Sequence, residues 1–174
     1  MLRHPWTLFH REYTEYAKFL DISEKEAKKD MEQVFEESIK QEFIADDGIS
    51  DEGLAQYIEL MKQVDNLAKY EVKDAKKTDD GDYTVKVQVE PSDVYQTLEQ
   101  SFTEVSNEKI EQGLDPTYPD VFSAVLTESV KKSIGKNTYR EASTVEVKVT
   151  KDESSAYDLD EPEMDKLREA LFPN

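Results

Sequence analysis

Residues 69–91 read K-Y-E-V-K-D-A-K-K-T-D-D-G-D-Y-T-V-K-V-Q-V-E-P, and this stretch decides the fold. Along an extended chain Tyr83, Val85, Val87 and Val89 point to one side, and Thr84, Lys86, Gln88 and Glu90 point to the other. A period of two marks a strand with one face buried and one face wet. Asp80-Gly81 precedes the run and suits a tight reversal, because glycine tolerates the positive φ such turns need. The pattern predicts a hairpin with strands over 69–77 and 82–90, antiparallel because the connection is short. Farther on, Thr144 to Lys151 alternates in the same way, with Val145, Val147 and Val149 inward and Glu146, Lys148 and Thr150 outward. Its likeness to the second strand predicts a third strand, over 143–151, in the same sheet.

Around these strands the period changes to that of helices. Trp6, Phe9, Tyr13, Tyr16 and Leu20 recur at steps of three and four, with Pro5 near the start of the run. Ser23-Glu24-Lys25-Glu26 reads as a capping box, followed by an apolar stripe of Ala27, Met31, Val34, Phe35, Ile39 and Phe43 that Asp46-Asp47-Gly48 ends. A third helix starts near Ser50 and carries Leu54, Tyr57, Ile58, Met61, Val64 and Leu67. After the hairpin, Pro91-Ser92-Asp93 starts a helix with Val94, Leu98, Phe102 and Val105, running towards Gly113 as a left-handed stop. Residues 115–119 form a Pro-stiffened linker. The next helix carries Val121, Phe122, Val125, Leu126, Val130 and Ile134 and is expected to end at Gly135. An acidic connector over 152–161 leads to a last helix over 160–171, with Met164, Leu167 and Leu171, capped by Asp160 with Glu163 three residues on.

This order lacks the strict βαβ alternation of a doubly wound sheet. It predicts an α+β fold: a small antiparallel sheet of three or four strands packed against several helices. The chain reads as a single domain over 1–174, with a helical N-terminal third (5–68).

With 40 acidic against 22 basic residues, the net charge is −18. That speaks against nucleic acid as a partner, since neutralising phosphates needs clustered Lys and Arg. It also disfavours anionic lipid. No apolar run approaches the roughly 20 residues of a membrane span, so direct membrane insertion is not expected. Cysteine is absent, which removes disulfides, thiolate metal sites and Cys nucleophiles. The N-terminal residues M-L-R-H-P-W-T-L-F-H-R do not have a signal-peptide layout.

No constellation carries chemistry. His4 and His10, six apart, do not share a helix face as a metal pair would, and no other His or Cys exists to complete a zinc site or a triad. Asp79-Asp80-Gly81-Asp82 has a calcium-loop composition but not the alternating ligand spacing, and a turn accounts for it. Residues 46–52 and Asp158 to Glu161 are acidic runs that could each hold a hard cation loosely, and helix capping accounts for most of both. Lys131-Lys132-Ser133 has a Ser-Lys pair's composition on ordinary helix-surface sequence. No phosphate loop or nucleophile elbow is present. Catalytic residues, metal ligands and cofactors are therefore expected to be none, and the chain is read as not an enzyme. Nine Tyr and seven Phe fall largely on apolar stripes, where a core or a cavity beside the sheet can use them.

F-L-D-I-S-E-K-E-A-K-K (19–29), residues 69–91 and T-V-E-V-K-V (144–149) together resemble a class of Gram-positive-type bacterial surface lipoprotein domains of unestablished activity. The resemblance runs over about 20–174. It implies a curved sheet of cystatin-like or NTF2-like character and attachment outside the cell membrane by lipid on a cysteine behind a leader. The sequence shows neither leader nor cysteine, so the residues themselves leave a cytoplasmic location open.

The expected function is that of a non-enzymatic binding domain of a bacterial envelope or surface protein, taking an unknown protein or small-molecule partner. One alternative is an NTF2-like small-molecule enzyme or carrier using a cavity beside the sheet. Another is a self-association module, a homodimer built through the aromatic N-terminal helix around Trp6 and Phe9.

Overall fold

The alternation in 83–90 becomes an alternation in burial: Val85, Val87 and Val89 are buried, while Thr84, Lys86 and Gln88 stay partly wet and Glu90 is exposed. The computed structural model describes residues 17, 21–43, 48–151 and 157–173. In it strand β1 is Lys69–Lys77, β2 is Tyr83–Glu90, β3 is Ser143–Lys151 and β4 is the two-residue Tyr157–Asp158. The sheet order is β1-β2-β3-β4, and every neighbouring pair is antiparallel. The α+β class and the three main strands are thus as the residues predict. Asp82 belongs to the turn, since β2 begins at Tyr83. The turn closes through Thr78 N donating to Asp82 O at 2.9 Å and Gly81 N to Thr78 O at 3.0 Å, with Gly81 at φ 93°.

The register places Val87 opposite Val145, and Val85 opposite Val147, so the valine rows of β2 and β3 share one face. The helix Glu161–Leu171 packs against that pair of strands. Burying each valine is worth about 1.5–3 kcal/mol, which makes this face the sheet's main source of stability. Edge strand β1 behaves differently. Val72 pairs with Val87 but is 48% exposed, and only Tyr70 in this strand is half-buried. A register shift between Val72 and Asp74 leaves Lys73 as a bulge. Bulges and edge lysines are common ways to blunt a sheet edge.

Five helices lie among the described residues: α1 (Glu24–Phe43), α2 (Asp51–Asp65), α3 (Val94–Glu111), α4 (Pro119–Lys136) and α5 (Glu161–Leu171). The predicted capping box at α1 forms reciprocally, with Ser23 N donating to Glu26 Oε2 at 3.0 Å and Glu26 N to Ser23 Oγ at 3.2 Å. The Ser23 hydroxyl also donates to Glu26 Oε2 at 2.6 Å, and that bond first, with the one from Ser23 N, holds the Glu26 carboxyl below its usual range. At α5, Asp160 accepts from Glu163 N at 3.0 Å, but the Glu163 carboxylate does not complete a box. It accepts instead from Lys148 N at 3.0 Å, tying the first turn of α5 to β3.

Two expectations need correction. Val34 is 65% exposed and does not belong to the buried stripe of α1; among its described side chains Ala27 and Ile39 are the buried apolar ones. Gly135 is not a helix stop, since α4 continues to Lys136 and ends at Asn137. A left-handed residue is needed for such a stop, and Gly135 is not among the positive-φ glycines, whereas Gly113, at φ 78°, is. The Trp6–Leu20 stripe and Asp46-Asp47 lie outside the described residues.

The chain divides into two compact units. Of the described residues, the sheet unit takes in those up to 31, 67–93 and from 139 onwards, and therefore holds all four strands, α5 and the first turns of α1. In it α5 packs on β3 and β2, burying Leu167 and Leu171 completely. The chain leaves this unit after Asp93 and returns at Tyr139, and the two ends are joined. Ser92 bridges Tyr139, Arg140 N donates to Pro91 O at 2.9 Å, and Ser92 N donates to Leu171 O at 2.8 Å. Tyr139 also donates its hydroxyl to Leu67 O at 3.0 Å, and Lys69 Nζ sits 3.6 Å over its ring. This clasp lets β2 and β3 be neighbours although residues 91–142 separate them.

The helical unit comprises residues 32–66 and 94–138. Helix α4 is central, packed against both α2 and α3. Along α3 and α4 the partly exposed pairs Lys109–Glu128 (2.7 Å), Lys132–Glu104 (2.8 Å) and Lys136–Glu104 (3.2 Å) run beside an interior rich in small hydroxyls. Ser101, Ser123, Thr127, Ser129 and Ser133 are all buried.

Candidate functional site

Two short side chains let α2 and α4 approach closely. Ser50 caps α2 by accepting from Gly53 N at 3.2 Å, and its own N–H donates to Ser123 Oγ at 2.9 Å. Ser123 donates its proton to Pro119 O at 2.6 Å. In the 3.2 Å contact between the two serine oxygens, Ser50 must therefore be the donor. The result is one chain of bonds, from Gly53 N–H through both hydroxyls to a helix carbonyl. Gly53 fits because it has no Cβ: one built there would overlap Ser123 Cβ and Oγ.

Beside this contact opens a cleft of about 390 Å³ lined by the two helices. Glu52 and Gln56 border it from α2, and Asp120, Thr127, Glu128 and Lys131 from α4. Thr127 donates to Ser123 O at 2.8 Å, and Glu128 is paired with Lys109. The size falls within the small-molecule range, but the lining is hydroxyl, amide and carboxylate where most ligand pockets are apolar. Its hydroxyl protons are committed to backbone carbonyls or to one another. A hydroxyl held that way, with no base beside it, is a hydrogen-bonding wall rather than a nucleophile.

The other sequence-level candidates resolve into structural roles. Asp80 Oδ1 accepts a hydrogen bond from the Thr78 hydroxyl, and that bond foremost holds its carboxyl below the usual range. Asp82 pairs with Lys148 at 3.1 Å and accepts from Lys151 N at 3.2 Å. The acidic turn, Asp82 first, pushes the Lys148 ammonium up. It is thus fastened to β3. In 131–133, Lys132 bonds Glu104 and Glu108, while Ser133 donates to Val94 O and contacts Thr97 Oγ1 at 2.7 Å. No Ser–Lys bond forms there. Asp160 is a helix cap. His4 and His10 lie outside the described residues. Among the described residues no three His, Cys, Asp or Glu side chains converge on one point, and no helix is long and apolar enough to cross a membrane.

The α2–α4 contact was not anticipated from the residues. Its signal was present as a small-residue row on α4, Ser123 and Thr127 four apart, facing a lone glycine in the first turn of α2.

No protein-family model matches the chain, and no curated protein matches it. Among solved structures, the fold is similar to that of a "putative lipoprotein (ycdA)" from Bacillus subtilis, with a TM-score of 0.56 and 18% identity. The match covers 88% of this chain and 48% of that one, so the chain spans about half the length of its structural relative. At this identity the likeness is one of fold.

Proposed function

We propose that this chain is a non-enzymatic binding domain of a bacterial envelope protein, with the lipoprotein's fold serving as a rigid carrier for exposed recognition surfaces. The observation that carries the proposal is the fold shared with the Bacillus subtilis lipoprotein over 88% of this chain. The curved-sheet class, cystatin-like or NTF2-like, belongs to the same proposal. Binding is favoured over catalysis because the hydroxyls at the α2–α4 contact are spent on helix backbone. A polar cleft with Glu52, Asp120 and Glu128 against Lys131 suits a small polar ligand bearing positive charge.

The test is protease shaving of intact cells that make the natural gene product, followed with an antibody against 94–138. Loss of the signal while a cytosolic control survives is the expected result; protection of both would overturn the envelope placement. Native mass spectrometry with an added diamine then tests the cleft. A bound diamine that the Glu52→Gln/Asp120→Asn variant loses supports the binding role, and an unchanged mass spectrum removes the cleft from it.

A further inference from the structure

Charge is spread unevenly along the α2–α4 cleft. At one end Glu52 and Asp120 stand in the first turns of α2 and α4, which the contact between Ser50 and Ser123 brings together. At the other end is Lys131, eleven residues beyond Asp120 on α4. Eleven residues make about three turns, so both side chains lie on one face of the helix, about 16 Å apart along its axis. Helical side chains lean towards the N-terminus, which brings the long lysine back towards the acids and leaves about 10–15 Å between the charges.

Lys131 differs from its neighbours. Of the five lysines on α2, α3 and α4, Lys62, Lys109, Lys132 and Lys136 are each paired with a glutamate. Lys131 has no ion pair or hydrogen bond among the described residues, although Glu128 lies one turn before it. Glu128 is turned instead to Lys109, at 2.7 Å. Asp120 is likewise unpaired among the described residues, and Glu52 accepts only from Gln56, at 3.3 Å. Acids in a first helical turn are favoured by the helix dipole without any ligand. An unpaired ammonium at the far end of the same groove, in a chain of 40 acidic residues, is not explained that way. Between the two ends, the Thr127 hydroxyl proton goes to Ser123 O at 2.8 Å, so its oxygen can only accept. Gln56 keeps one amide proton and a carbonyl oxygen. That stretch of wall suits a ligand with N–H groups to donate and a carbonyl to accept.

We infer that the cleft takes a short peptide with both ends free: its ammonium at Glu52 and Asp120, its carboxylate at Lys131, and its backbone along Thr127 and Gln56. An extended chain covers at most about 3.3–3.6 Å per residue, so three or four residues span the two charges. The cleft volume of about 390 Å³ agrees with a ligand at the small end of the range. The inference rests on the proposed reading of the cleft as a site for a positively charged ligand, and adds to it a negative group at a fixed distance. Both charged ends meet partners near solvent, so each end contributes about fivefold in affinity and binding is weak.

The test is an NMR titration of the isotope-labelled full chain with trialanine, its C-terminal amide, its N-acetyl form and cadaverine. Trialanine should shift the amide signals of 50–56 and 120–131 and bind more tightly than cadaverine. Amidating its carboxylate or acetylating its amine should each weaken binding about fivefold. In Lys131→Ala, at an exposed position, trialanine and its amide should bind alike while the acetylated peptide stays weaker. In Glu52→Gln/Asp120→Asn the pattern should reverse, with the acetylated peptide matching trialanine and the amide weaker. Circular dichroism melts confirm that each variant is folded. A wild type that binds trialanine and its amide equally overturns the inference. So does a preference for cadaverine over trialanine, which keeps the positively charged ligand and removes the peptide. No shift with any of the four probes overturns the inference and the cleft's part in the proposed function together.

Discussion

Gly53→Ala puts the α2–α4 contact to a quantitative test, because two effects of opposite sign compete at one methyl group. Replacing glycine within a helix by alanine ordinarily stabilises by up to about 1 kcal/mol, and less in the first turn, where Gly53 lies. Here the new Cβ would overlap Ser123 Cβ and Oγ and approach Ser50 Oγ to 3.1 Å. Ser123 cannot swing clear cheaply, since its hydroxyl donates to Pro119 O and accepts from Ser50 N. Forcing an extra carbon into such a contact costs about 1–3 kcal/mol. Displacing Ser50 also weakens the α2 cap, worth about 1 kcal/mol. The costs exceed the propensity gain, so Gly53→Ala should destabilise by about 1–3 kcal/mol. The assay is urea unfolding followed by circular dichroism at 222 nm, reading the shift in midpoint at unchanged slope. Ser123→Gly removes the overlapped atoms, so Gly53→Ala should cost much less in that background, and the double-mutant cycle should show favourable coupling. A Gly53→Ala protein as stable as wild type, or more stable, would refute the close approach of α2 and α4.

Further outcomes follow from burial and pairing. Ser101 is fully buried and its hydroxyl has no hydrogen-bond partner among the described residues, so Ser101→Ala should stabilise by about 1 kcal/mol; a clear loss of stability in urea would show that the hydroxyl is satisfied. Val87→Asp places an unpaired charge at a fully buried position and should abolish cooperative melting, whereas a soluble, cooperatively melting variant would invert the facing of β2. Lys86→Ala, across from Glu146 at 3.3 Å on the partly wet face, should cost no more than about 1 kcal/mol; a loss of several kcal/mol would mean that this face is covered too. Hydrogen bonds from Lys132 and then Lys136 hold the Glu104 carboxyl below its usual range. A lowered folded value means that its contribution is present above the unfolded value of about 4.3 and fades as pH falls through the folded one. The stability gap between wild type and Glu104→Gln should therefore close between pH 5 and strong acid, and a gap constant over that range would show that the carboxylate contributes nothing by its charge.

What could be read directly from the residues is what depends on near neighbours. The period of two in 83–90 and 144–151 marks β2 and β3 because adjacent side chains on a strand face opposite ways, whatever lies around them. Ser23 with Glu26, Asp160 with Glu163, and Gly113 mark helix ends because caps are made within three or four residues. Gly135 misled by the same local logic: a glycine near the end of an apolar stripe resembles a stop, yet α4 carries on through it to Lys136. Val34 misled because it sits beside Phe35 on a plausible stripe, and only the packing around α1 determines how wide that stripe is. The candidate site was legible only in its parts, the Ser123 and Thr127 row and the lone Gly53. Its cleft depends on Gly53 meeting Ser123, residues far apart in the chain, and nothing local to either one says that they meet.

By itself, then, the sequence determined the element types, their capped ends and which face of each main strand is apolar, since these follow from backbone geometry and short-range hydrogen bonds. Tertiary structure alone decided that β3 lies beside β2, that β1 remains an exposed, lysine-rich edge, and that two helices touch through a glycine and two serines. Each of those is a contact between distant residues, chosen by which apolar surfaces can be covered together and which backbone groups must find partners once water is excluded.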